Sequence, residues 1–105
     1  MTDRELLELA AKAAGIEYAH IDGYGAILYS EHPRYWNPIT DDGDALRLAV
    51  KLKIPIQFPD WTDMTRTWGS KDCLDVFDEP HDKDPLAATR RAVVCAAAEI
   101  GRNMK

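Results

Sequence analysis

Catalysis at neutral pH needs a nucleophile, a base or a set of metal ligands held at short range, and this chain offers few such combinations. His20 and Asp22 could act as a base and its orienting carboxylate. Asp22 is followed by Gly23, however, and Asp-Gly at the end of a strand is more simply a turn former. Asp78, Glu79, His81, Asp82 and Asp84 carry enough oxygen and nitrogen donors to interest a divalent ion. They lack the Cys and His spacing of zinc sites and the glycine-centred order of a calcium hand, so a solvated acidic loop is the simpler expectation. Asp41-Asp42-Gly43-Asp44 begins like a calcium loop but lacks the later oxygen ligands, which leaves helix capping. Gly23-Tyr24-Gly25 has neither the glycine spacing nor the following helix of a phosphate loop.

Nucleophiles fare no better. Cys95 falls in the middle of an alanine-rich helix and Cys73 in a strand, and neither occupies the exposed helix start that lowers a thiol pKa. Ser30 and Ser70 lack the Gly-x-Ser-x-Gly elbow. The expectation is a chain without catalytic residues, metal ligands or a cofactor. Trp and Tyr, by contrast, concentrate at the energetic centres of protein interfaces. Three tryptophans cannot all be deeply buried in 105 residues. Tyr35, Trp36, Trp61 and Trp68 are therefore the candidates for an exposed protein-contact patch.

The whole composition narrows the partner. A net charge of -5 repels nucleic acid phosphates, and the thirteen Lys and Arg are scattered, with Arg90-Arg91 the only adjacent pair. Nucleic acid is a disfavoured partner. No apolar run reaches the roughly 18 to 20 residues that span a bilayer, and Met1-Thr2-Asp3-Arg4-Glu5 carries no apolar signal core, so a cytoplasmic location is expected. Two cysteines are too few for a disulfide framework. With 46% hydrophobic and 30% charged residues, one globular domain over residues 1–105 is expected, its ordered core spanning about 2–102.

The elements that would position these residues can be read from local signals. Thr2 with Glu5 is a capping box, Leu6, Leu9, Ala10 and Ala13 recur at helical spacing, and Gly15 supplies a left-handed stop. A helix from about Asp3 to Ala14 follows. Strands are expected near 17–21 and 24–30 around the Asp22-Gly23 turn. Pro33 and Pro38 deny Glu31–Thr40 a regular ladder, and Trp36 should anchor that connection. Asp41 or Asp42 caps a helix to Leu52 that should be the most buried, with Arg47 and Lys51 its narrow polar line. Ile54, Ile56 and Phe58 suit a half-buried strand pushed to an edge by Pro55. Strands at Trp61–Trp68 and Lys71–Phe77, joined across Gly69-Ser70, precede a polar loop at Asp78–Lys83. Asp84-Pro85 then opens a terminal helix with Leu86, Val93, Ala97 and Ile100 on its inner stripe and Gly101 as its stop. The fold class is α+β, an antiparallel sheet with helices packed on it in an α/β/α sandwich-like arrangement.

This order of motifs resembles the small bacteriophage proteins of the phage ABA-sandwich family, which are related in style to the NinX-like proteins. The resemblance rests on Trp36-Asn37-Pro38 leading into Thr40-Asp41-Asp42 and the apolar helix to Leu52, and on Asp84-Pro85-Leu86-Ala87 opening a helix with Arg90, Arg91 and Ala92. It implies a helix/sheet/helix sandwich of phage or prophage origin, and carries over no catalytic residue. The chain departs from the pattern between Trp61 and Phe77. The functional expectation is a non-enzymatic accessory protein that binds a host or phage protein to modulate the host or block a defence. The alternatives are a small-molecule or metal-dependent enzyme using His20 or the 78–84 loop, and a homo-oligomer, such as a homodimer, paired through the edge strand near Pro55.

Overall fold

Local capping chemistry delimits the first helix as the sequence predicts. The computed structural model describes residues 2–28, 34–68, 76–82 and 84–104, and places α1 at Asp3–Ala14. Thr2 Oγ1 accepts from the Glu5 N–H at 3.2 Å. Gly15, at φ 69°, turns the chain so that the Ile16 N–H reaches back to the Ala11 carbonyl at 2.9 Å.

The first sheet is an antiparallel meander of β1 (Tyr18–Asp22), β2 (Gly25–Leu28) and β3 (Tyr35–Trp36). Asp22 closes the hairpin by accepting from the Tyr24 N–H at 2.8 Å. β3 corrects the expectation of a connection without a ladder. Ala26 pairs with Trp36 and Ile27 with Tyr35, and the flanking prolines fall outside these two paired residues. Trp36 is buried in the core and anchors the segment, as expected. The expected end of the second strand at 29–30, and residues 31–33, lie outside the described residues.

α2 (Asp42–Leu52) starts at Asp41, whose carboxylate accepts from the Asp44 N–H at 2.7 Å. It is not the buried helix that its composition suggests. Asp44, Ala45, Leu48 and Ala49 face inward, but Leu46 and Val50 are 64% and 69% exposed. The reason is tertiary: α3 and α1 cover one face of α2, and Leu46 and Val50 fall outside that cover.

The second sheet joins β4 (Ile56–Gln57), β5 (Met64–Trp68) and β6 (Val76–Pro80) in that order, all antiparallel. β4 is an edge strand beside Pro55, as expected, but it stops before Phe58. Trp61 stands in the turn ahead of β5 rather than in the strand. The expected polar loop at 78–83 is a strand as far as Pro80, because Thr65 pairs with Glu79 and Arg66 with Asp78 across the ladder. The Gly69-Ser70 junction and residues 71–75, with Cys73 and Leu74, lie outside the described residues.

α3 (Pro85–Arg102) begins at Asp84, which accepts from the Ala87 N–H at 3.0 Å, with Pro85 at the first helical position. It runs parallel to α1: Arg91 reaches Asp3 near the start of α1, and Lys12 reaches the Met104 carbonyl near its end. The buried residues of both helices are small, Ala10, Ala11 and Ala14 on α1 and Ala97, Ala98 and Gly101 on α3, which permits a close approach. Gly101 is therefore not the stop; the helix continues to Arg102 and is capped at Asn103. A Cβ at Gly101 would stand 2.0 Å from the Leu9 carbonyl oxygen. Leu86 continues the stripe of Val93 beyond the end of the core, and is 61% exposed instead of inward. The fold is α+β, three helices with antiparallel strands, and these strands are divided between two three-stranded sheets instead of one.

Candidate functional site

Period-two alternation divides the second sheet into two faces. Thr65 and Thr67 are fully buried against α3, whose small residues Ala88 and Ala92 admit them. Thr67 Oγ1 donates to the Ala92 carbonyl at 2.7 Å. Met64, Arg66 and Trp68 take the other face and are half-buried. There the Arg66 guanidinium makes a two-pronged contact with Asp78, at 2.7 and 3.1 Å, and lies 6.0 Å from the Trp61 ring centre. This pairing with Arg66 holds the Asp78 carboxyl below the ordinary carboxylate range and raises the Arg66 guanidinium.

Trp61 is nevertheless 72% exposed. Phe58, at the end of the edge strand, is 59% exposed, with its ring 6.4 Å from that of His81 and tilted by 52°. Two large aromatic rings thus stand in solvent, each braced by a side chain that the sheet itself orients. Bracing lowers the side-chain entropy lost on association, and the exposed rings supply area that a partner can desolvate.

A chain of hydroxyls holds His81 in turn. Its Nε2 lies 2.8 Å from Thr65 Oγ1, which lies 2.8 Å from Thr89 Oγ1, which donates to the Pro85 carbonyl at 2.8 Å. A carbonyl only accepts, so Thr89 spends its single proton there and accepts from Thr65. Thr65 then accepts from His81. The imidazole is a donor at Nε2, and Nδ1 is left outside this network.

Of the four aromatics singled out by type, the structure brings Trp61 and Trp68 to the second sheet, next to Arg66. Tyr35 belongs to the first sheet, where its hydroxyl donates to Asp22 at 2.9 Å and its ring lies 5.7 Å from that of Tyr24. Trp36 is a core residue, which corrects its place in a contact patch: β3 turns it inward while Tyr35 points out. Phe58 and Arg66 were missed. Alternation with Ile54 and Ile56 assigned Phe58 to an inner face, and an isolated arginine gives no signal until the ladder sets Asp78 beside it.

The other chemical candidates are engaged in structure. Asp22 serves the turn; the Tyr24 N–H lowers its pKa first of all, with Tyr35 adding to the effect. Burial pushes the Cys95 thiol up, with nearby Glu79 adding to it. Asp84 caps α3. Beside it an open cleft of about 740 Å³ is lined by Pro80, His81, Asp82, Ala87 and Arg91, but Arg91 is paired with Asp3 at 3.1 Å. Among the described residues, no three His, Cys, Asp or Glu side chains converge to hold a metal ion. Asp44, which sequence places only in a capping cluster, is a buried carboxylate that accepts from the Asn37 N–H at 3.0 Å and from Arg47 at 2.8 Å.

The fold and this surface define an α+β domain with braced, exposed aromatics. No protein family, curated protein or solved structure was found to match the chain.

Proposed function

We propose that this chain is a small accessory protein of a bacteriophage or prophage that acts without catalysis, by binding a host or phage protein through the exposed aromatics that flank its second sheet. The observation that carries the reading is the pair Trp61 and Phe58, exposed yet braced by Arg66 and His81. Interface hot spots are enriched in such aromatics and in arginine, and a preorganised ring binds at a lower entropic cost than a free one. The net charge of -5 favours a protein partner over nucleic acid. Among the described residues no helix is long and apolar enough to cross a membrane. The phage origin and a site of action in the host cytoplasm rest on the resemblance of the Trp36-to-Leu52 and Asp84-to-Ala92 segments.

Capture of the tagged chain from infected and uninfected host lysates, alongside a Phe58→Ala/Trp61→Ala variant, tests this. A stoichiometric partner retained by the native chain and lost by the folded variant is expected. Equal retention by both would remove the site assignment, and the absence of any partner in both lysates would remove the binding reading.

A further inference from the structure

We infer that the outer face of α2 is a self-association seam, in which two copies of this chain pack α2 against α2 in antiparallel fashion about a two-fold axis. Leu46 and Val50 are one helical turn apart and point the same way, so their exposure forms a continuous apolar strip instead of two scattered residues. Leu46 also lines a groove of about 230 Å³ with Ala45, Ile56, Leu86 and Val93. Protruding side chains and a groove to receive them occupy the same face. A two-fold axis can exploit that combination, because each copy then supplies both the knob and the hole.

Charge specifies the occupant and its direction. The start of α2 is acidic at the exposed Asp41 and Asp42, and its end is basic at the exposed Lys51 and Lys53. An antiparallel copy lays each acidic end over a basic end, twice by symmetry, and opposes the helix dipoles. A parallel copy would stack like charges. None of the ion pairs among the described residues uses Lys51 or Lys53; at the other end Asp42 pairs with Arg90, and Asp41, the cap, also lies 4.0 Å from Arg47, so these carboxylates are held in place while more than half of each stays exposed to a second cation. The face is thus locally balanced on a chain whose overall charge of -5 otherwise opposes association with itself. This seam does not involve Phe58 or Trp61 and stands independently of the partner proposed for them.

Sedimentation velocity of the full chain, over roughly a hundredfold range of concentration, tests the seam. A reversible dimer is expected, weakened by about tenfold or more in Val50→Glu and in Leu46→Gln, with circular dichroism unchanged because both positions are exposed. Lys51→Glu should weaken it as well, and added salt should weaken the native dimer by screening the paired ends. A monomer at every concentration would overturn the inference, as would a dimer indifferent to both apolar substitutions. A dimer that tightens with salt would overturn the antiparallel arrangement.

Discussion

At the scale of single residues, one ion pair and one backbone hydrogen bond to a carboxylate make stability depend on pH in a defined direction. Arg66 holds Asp78, and the Tyr24 N–H holds Asp22, below their ordinary carboxylate range. A depressed carboxyl contributes stability that is complete above its unfolded pKa and is lost as pH falls through the folded value. The unfolding temperature should therefore hold steady from neutral pH and decline below about pH 4, with a shallower decline in Asp78→Asn. Thermal melts across that range check this, and superimposable acid profiles for the two proteins would count against the pair. The hydroxyl chain makes a second claim at this scale. Nitrogen NMR should find neutral His81 protonated at Nε2, and Thr65→Val should cost about 1–2 kcal/mol by orphaning that donor. A proton on Nδ1 in the native chain would show that the network runs otherwise.

At the scale of elements, the strongest constraints are places where two backbones approach. Gly101→Ala would put a carbon 2.0 Å from the Leu9 carbonyl oxygen and force α1 from α3. About 3 kcal/mol or more should be lost in chemical denaturation. Gly25→Ala should be similarly severe, since its φ is 123° and the new carbon would meet Asn37 and the Trp36 carbonyl at 2.7 Å. Asp44→Ala would leave the Asn37 N–H without its acceptor and should cost about 2–4 kcal/mol. Melts of these variants close to the native one would contradict the packing described. The helices were legible because their boundaries are local chemistry: Thr2 and Gly15, Asp41, and Asp84-Pro85 declare themselves within a few residues. Strands were less so, because pairing depends on a partner far away. Asp78–Pro80 reads as a loop until Thr65 and Arg66 lie beside it. Gly101 reads as a stop, since a glycine that ends a helix and one that admits another helix look alike in sequence.

For the whole molecule, what matters is which apolar surface remains after the core is closed. Every buried side-chain nitrogen and oxygen among the described residues has a hydrogen-bond partner, so the interior leaves nothing polar for a ligand to satisfy. The surface leaves Phe58 and Trp61 in the segment between β4 and β5, and Leu46, Val50 and Leu86 around α2 and α3. That not every large aromatic would be buried was legible from their number in so short a chain, and Trp61, which is exposed, was among those named. Which of them stay outside was not, because the inward turn of Trp36 is set by pairing with Ala26, and the exposure of Phe58 by the early end of β4. Phe58 and Trp61 are the proposed contact surface. Titration calorimetry of the captured partner against the native chain and the Phe58→Ala/Trp61→Ala variant tests it most directly. A loss of at least about 2 kcal/mol in binding free energy, some thirtyfold in affinity, is expected in a variant that keeps its fold. Undiminished affinity in that folded variant would contradict it.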